Sequence, residues 1–366
     1  MKLQKEISTS FKSALSHTLL SRGSIHQLED SFKESYQTYP ELSGHVSISD
    51  ASSINFLPEA KALQSSRYTT PNIFALRLND LYFCPEYNIL HTKSRQILEE
   101  SISTQKELEQ FDAKAFYLKK TKTISGVCST FRSHKNGYYH TLIDNLPRLY
   151  LLHGSQFQEI KEISILLSSQ PSKVESFYLD KLLPDNAKVL LVDKDETCKL
   201  KDFIFPSFLS RRFSGYLPLA YISWFIKRVA PNRPRKKVNR IFISRIPTHK
   251  GRQRCILNEN ELFERLEPYG FKRYVLDHMK IEEQIELFYD AETVVAAHGA
   301  GLTNAIFSEK INVLELFPTQ FIVPHYYFLS KSLRHNYRYL CTQEKGKSSS
   351  FNVDIEATLS IVNKFY

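Results

Sequence analysis

The sequence predicts an α/β protein of two domains. Its 366 residues exceed what one hydrophobic core usually organises. Short apolar runs of strand length alternate with segments of helical period over most of the chain. Late in the chain, "VVAAHGAGLTNAIF" at 294–307 runs a strand into a glycine turn and a helix start, an arrangement that cradles anions.

The elements follow in order. Residues 1–65 are polar and Ser-rich and form an N-terminal extension. Residues 72–100 alternate and carry turn signals, as a hairpin or meander does. "GYYHTLIDNLPRLYLLHGS" at 137–155 places apolar residues at 142, 143, 146, 150 and 151, a helical spacing that Gly154 could end. A strand at 162–169, a helix at 172–183 and strands at 187–193 and 202–209 make the rest of an α/β domain over 66–235, closed by an amphipathic helix at 216–230. The second domain, 236–366, alternates more regularly. Strand 240–245 leads to helix 258–270, with Gly270 at its C-terminal cap. A strand from Phe271, helix 280–291, the 294–307 unit, strand "NVLELFP" and a C-terminal helix follow. Repeated βα units with short links imply a mostly parallel sheet with helices on both faces.

Composition narrows the function classes. The 42% apolar and 13% aromatic content excludes a disordered chain. No apolar run reaches the ~18 residues of a membrane span. The N-terminus has neither the apolar core nor the cleavage site of a signal peptide. Five scattered cysteines and no Asn-x-Ser/Thr sequon fit reduced thiols and a cytoplasmic chain. Net charge +10 suits an anionic partner: nucleic acid, an anionic membrane face or phosphorylated substrates. The densest basic run, "NRPRKKVNR" at 232–240, reads as a linker and lacks the aromatic interleaving or motif of a nucleic-acid binder, so no nucleic-acid partner is expected.

Four constellations carry chemistry. Backbone amides at Gly299, Ala300, Gly301 and Leu302, with the helix start at Thr303 and Asn304, would point at one spot beyond the strand, next to His298. Missing Cβ atoms at Gly299 and Gly301 would let phosphates approach. The third glycine of G-x-G-x-x-G is Asn304, and no G-x-S-x-G elbow exists, so neither a dinucleotide oxidoreductase nor an esterase fits. Arg245, at a parallel strand's end, offers a fork suited to a diphosphate, with Arg252 and Arg254 following. His140 and Asp144, four apart on one helix face, are candidate general bases. Glu315, at a strand's end, is a candidate hydroxyl-binding carboxylate. The pair Asp193 and Asp195 resembles a metal-binding D-x-D, but alone in a charged loop it is no basis for a metal site, and no metal is expected.

The succession "GYYHTLIDNLPRL", "RIFISR", "LNENEL", "GFKRYVLDHMKIEEQIELFYDAETVVAAHGAGLTNAIF" and "VLELFP" resembles the family 61 glycosyltransferases, a domain also described for capsular polysaccharide biosynthesis proteins. The resemblance covers about 70–340. It is most specific over 240–318 and rests upstream on Gly137, His140, Asp144 and Pro147. It implies a GT-B architecture, two Rossmann-like domains facing a cleft, and an inverting transfer from a nucleotide sugar without an obligatory metal or other cofactor. Most characterised relatives carry an N-terminal anchor in the secretory pathway. This chain looks like a soluble, bacterial-type member.

The expected reaction moves a sugar from a nucleotide-diphosphate donor, a UDP-sugar first, to a glycan or lipid-linked saccharide acceptor in surface or capsular polysaccharide synthesis. Arg245 and the turn from His298 to Asn304 would hold the diphosphate, and Glu315 the donor's sugar or ribose. Asp144 would be the base, with His140 its rival or orienting partner. The excess positive charge would draw the chain to an anionic inner membrane face. The alternative is a non-catalytic glycan- or nucleotide-binding module on the same scaffold.

Overall fold

A computed structural model describes residues 21–25, 71–102, 116, 118–210, 215–245, 254–319, 321–342 and 350–366, together with the backbone of strands 33–38, 45–47 and 67–69. The rest of the 1–65 extension and Arg252 lie outside the described residues. The chain divides into two compact units, Met1–Gly44 with Thr70–Arg212, and His45–Thr69 with Phe213–Tyr366.

In chain order the strands are β1 (Arg22–Gly23), β2 (Lys33–Thr38), β3 (His45–Ser47), β4 (Arg67–Thr69), β5 (Phe74–Cys84), β6 (Ile89–His91), β7 (Ile97–Leu98), β8 (Lys120–Ser129), β9 (Ile163–Leu167), β10 (Ala187–Leu191) and β11 (Glu196–Pro206). Those of the second unit's main sheet are β12 (Asn239–Ile243), β13 (Phe271–Tyr274), β14 (Ala291–Ala297), β15 (Asn312–Pro318) and β16 (Asn336–Thr342).

The first unit does not have the parallel sheet of the Rossmann-like domain that the family resemblance implies. Among the described residues its sheet runs β1-β7-β6-β5-β11-β8-β9-β10, with β2 on β5. Only β11-β8-β9-β10 and β1-β7 pair in parallel. The meander and the α/β run predicted separately share this one sheet, because β11 pairs antiparallel with β5 on one side and parallel with β8 on the other. β11 starts earlier than the expected 202–209 strand, since Thr197, Cys198 and Leu200 are buried along it. A fully buried guanidinium ties the ends of β8 and β11 together. Arg148 donates to the carbonyls of Pro206 (2.9 Å) and Arg132 (2.9 Å) and lies 4.4 Å over the Phe208 ring. Burial pulls its pKa down to about 9.

The helix opening at Tyr138 is interrupted. After Tyr138–His140 comes a π-helical turn, Thr141–Asn145, and then Pro147–Leu151. Pro147 has no N–H to donate, and the Leu146 amide reaches five residues back to Thr141 (2.9 Å). Helix Lys173–Leu182 starts at a capping box: Ser172 Oγ accepts from the Glu175 amide (3.2 Å) and Glu175 accepts from the Ser172 amide (2.8 Å).

The second unit's main sheet is five-stranded and wholly parallel, in the order β13-β12-β14-β15-β16. Counting from its first strand this is 2-1-3-4-5, and the chain reverses its winding between β12 and β14. Gly270 ends the preceding helical segment at φ +79°, as a C-terminal cap requires. Helix Leu219–Val229 belongs here, because Phe225 stacks on Phe307 at 5.8 Å. The division therefore falls after Arg212, before this helix, whereas the sequence places it at 235.

The basic run at 232–240 is a tied strap rather than a loose charged linker. Arg233 pairs with Glu286 and Asp290, Arg235 lies 4.0 Å over the Tyr289 ring, and Arg240 pairs with Glu292 at 2.8 Å. All five cysteines are buried thiols, and burial pushes Cys128 and Cys198 up to about 12. No described helix is long and apolar enough to cross a membrane.

His335 fastens the segment after the glycine turn. Its Nε2 donates to the Ala305 carbonyl (3.1 Å) and its Nδ1 accepts from the Ile311 amide (3.3 Å), so the ring is neutral. Burial lowers the pKa of His335 and of His91 from 6.5 to about 4. Above pH 6.5 neither the folded nor the unfolded chain protonates these rings appreciably. Between 6.5 and 4 the unfolded chain takes up protons that the folded one refuses, so stability falls with pH. Each histidine is expected to remove up to roughly 2–3 kcal/mol across that window. Urea unfolding at pH 7 and pH 4.5 measures it, and His335→Asn should flatten the loss; equal stability at both pH values would contradict it.

Candidate active site

Strand register assembles the first constellation. Ile243 at the end of β12 pairs with Ala296 in β14 and with Tyr274 in β13. Arg245, two residues on, therefore comes level with His298 at the topological switch point, where open parallel sheets bind ligands. Arg245 Nη1 donates to the His298 carbonyl at 2.7 Å. A depression of about 120 Å³ opens there, lined by Arg245, Gly299, Ala300, Gly301, Leu302 and Asp277 among others.

The two glycines serve different needs. A Cβ on Gly299 would fall 1.7 Å from Arg245 Nη1, so the guanidinium occupies the space a side chain would take. A Cβ on Gly301 would meet Leu276 at 2.9 Å and Ile243 at 3.4 Å, so this glycine lets the turn lie against the sheet. The helix that follows is 3-10, spans Ala300–Phe307 and starts before the expected Thr303. Its first hydrogen bond uses the Leu302 amide, which donates to Gly299 O at 3.0 Å. The amides of Ala300 and Gly301 precede any intrahelical acceptor and are the ones the helix leaves for a ligand. Asn304 is buried and donates to Gln284 (3.0 Å) and Gly301 O (3.2 Å), which braces the turn from behind.

His298 and Glu315 form a buried pair. His298 Nδ1 lies 2.5 Å from Glu315 Oε1, and the Tyr337 hydroxyl donates to Oε2 at 2.6 Å. Glu315 is 0% exposed, so its carboxylate addresses His298 and Tyr337 rather than solvent. Burial and the adjacent Glu315 keep the Tyr337 hydroxyl protonated. The His298 ring stacks on Phe317 at 5.3 Å and is flanked by Phe321 and Tyr326.

Arg254 also belongs to this cluster. Its guanidinium lies 4.9 Å over the Phe321 ring, and burial, then the charge of Arg245, lowers its pKa. Arg254, half-buried and disfavoured by the charge of Arg245, gains from a polyanion held by both. Sequence reasoning missed Asp277, in the 3-10 turn Leu276–His278 just beyond β13. The available signal was its place after the second strand of a Rossmann-type unit, where an acid commonly meets ribose.

In the first unit, His140 Nδ1 lies 2.6 Å from Asp144 Oδ2. The side chains are 28% and 4% exposed respectively. The buried carboxylate thus fixes the ring, and Nε2 is the nitrogen left to take a proton. The D-x-D pair closes on itself, since Asp193 Oδ1 accepts from the Asp195 amide at 2.9 Å. Among the described residues no group of three or more His, Cys, Asp or Glu side chains could hold a metal ion.

The Glycosyltransferase 61 family model matches residues 138–314. The chain is 27% identical over 100 residues to a beta-1,2-xylosyltransferase of Arabidopsis thaliana, an alignment covering 23% of this chain and 19% of that protein. It is 26% identical over 161 residues to a beta-1,2-xylosyltransferase of Oryza sativa subsp. japonica, covering 39% of this chain and 28% of that protein. The chain thus spans less than a third of either relative. The family match runs from the helix of His140, through Arg245 and the glycine turn, into the strand of Glu315.

Proposed function

We propose that the protein is an inverting glycosyltransferase that moves a sugar from a nucleotide-diphosphate donor to a saccharide acceptor. The observation that carries this is the pair Arg245 and Arg254 beside the glycine turn, at the switch point of a parallel sheet. In this reading the diphosphate lies on the Ala300 and Gly301 amides and the two guanidiniums. These stabilise the charge that grows on the leaving group as the anomeric C–O bond breaks. Asp277 accepts from the ribose hydroxyls. Glu315 and Tyr337 hold the His298 ring, which shapes the turn. The GT-B arrangement of two Rossmann-like domains around a cleft remains part of the proposal, although the first unit's sheet is mixed.

His140 is the proposed base and Asp144 its orienting partner, the reverse of the order the sequence suggests, because the carboxylate is the buried member. Nε2 takes the acceptor hydroxyl's proton as its oxygen attacks the anomeric carbon opposite the departing diphosphate. The new C–O bond forms as the old one breaks, so the configuration inverts. The relatives are named xylosyltransferases, and with UDP the nucleotide expected from the sequence, UDP-xylose is the first donor to test. A role in polysaccharide synthesis and a cytoplasmic setting, which five buried thiols suit, complete the reading.

The test is a thermal-shift screen with UDP, GDP, CMP and their sugars, followed by product analysis with any donor that stabilises. Stabilisation by one nucleoside diphosphate and transfer of its sugar is the expected result. No shift with any nucleotide would overturn the donor site.

A further inference from the structure

The first unit holds a second, larger cavity of about 570 Å³, within the size range of small-molecule sites. It is set at the carboxyl ends of the parallel strands β8 and β9. Arg132 follows β8, Ser168 to Gln170 follow β9, and the first turn of helix Lys173–Leu182 closes one side. Carboxyl ends of parallel strands are where open α/β sheets take ligands. Tyr138, Thr141 and Asn145, one face of the His140 helix at helical spacing, make another side, and Glu86, Asn88 and the loop from His134 to Gly137 complete the wall. The cavity and the proposed base therefore share a helix, on different faces.

The chemistry here differs from that beside Arg245. Each charged side chain on the wall has its counter-ion. Arg132 and Glu175 form a two-point pair at 2.8 and 2.9 Å, and Glu86 is paired with Lys119 at 2.7 Å. The other Arg132 donors are spent on Ser169 O and Oγ (both 3.0 Å) and Gln170 O (3.3 Å). Burial by itself would raise the Glu175 pKa, but Arg132 and the Ser172 amide more than offset this and hold it low, so the pair stays ionised. The helix start carries its own capping box, which leaves it a poor anion cradle. Apart from the His134 imidazole, what the wall offers is neutral: hydroxyls, amides and carbonyls. Asn88, 8% exposed, also borders the cavity, and its Nδ2 donates to Ser133 O at 3.3 Å.

We propose that this cavity binds the acceptor as a neutral saccharide, with Thr141, Asn145 and Ser168 meeting its hydroxyls. The assignment rests on the glycosyltransferase reading for the word acceptor, and on the cavity's own chemistry for the neutral saccharide. The phosphate of a lipid-linked acceptor lies outside this cavity, because its one arginine is already spent on Glu175 and on Ser169 and Gln170.

Ligand-observed NMR on the full chain tests it, with maltotriose, cellotriose, mannotriose and xylotriose as neutral probes and glucose 6-phosphate as the charged one. At least one trisaccharide should bind and glucose 6-phosphate should not. Ser168→Tyr, which fills the cavity from a half-exposed position, should weaken that binding at least tenfold while leaving UDP affinity and the unfolding transition as in wild type. No trisaccharide binding, wild-type binding in Ser168→Tyr, or preference for glucose 6-phosphate overturns the assignment. Trisaccharide binding without transfer from any nucleotide sugar would sink the transferase reading and leave the saccharide site standing. Transfer with an unchanged acceptor KM in Ser168→Tyr would do the opposite.

Discussion

Arg245→Ala is expected to lower affinity for the donor nucleotide by roughly 10- to 100-fold, the worth of charge-assisted hydrogen bonds to a diphosphate. Turnover should fall further, on the order of 10²- to 10³-fold, because the leaving group gains charge as the bond breaks. Calorimetric titration with UDP and steady-state rates with its sugars measure the two effects. Arg245→Lys should recover part of the affinity but not the two-point geometry. Gly299→Ala should reproduce the Arg245→Ala defect for a separate reason. Gly299 sits in extended backbone at φ 173°, which any residue adopts, so the harm is not strain. It is the added Cβ, 1.7 Å from Nη1, which must evict the guanidinium. A Gly299→Ala protein that binds UDP normally would show that Arg245 is not where the nucleotide binds.

His140→Ala is expected to cut kcat by about 10²- to 10⁴-fold while donor affinity stays within a factor of two or so, the usual signature of a lost general base. Asp144→Asn should cost about tenfold or more, because it removes the acceptor that fixes the Nδ1–H tautomer while leaving Nε2 in place. Single-turnover rates with saturating donor separate the two roles. Near-normal turnover in His140→Ala together with a dead Asp144→Asn would return the base to the carboxylate.

Much of the site was legible because its chemistry is local in sequence. The strand-turn-helix at 294–307 announces itself through small residues at fixed offsets, and the His140–Asp144 pair through a four-residue spacing that any helical turn brings together. The purposes of individual residues were less legible. Gly299 and Gly301 look equivalent in sequence, yet one yields to a guanidinium and the other to Leu276 and Ile243. Glu315 reads as a hydroxyl-binding carboxylate because it stands near a strand's end. It faces inward because the alternation of β15 points it at the His298 ring and the Tyr337 hydroxyl.

The sequence by itself determined the alternation of strands and helices, the parallel sheet of the second unit and the strand, glycine turn and helix at 294–307. Periodicity and turn chemistry are written residue by residue, and neighbours along the chain suffice to express them. Only the tertiary structure decided that the first unit's sheet is mixed, that the basic strap at 232–240 is tied by Glu286, Asp290 and Tyr289, that Arg254 and Asp277 gather around Arg245, and that Asp144 rather than His140 is the buried partner. Each of these depends on which distant segments pair and which face of an element is covered. Burial and long-range register are properties of the packed chain, and no window of sequence contains them.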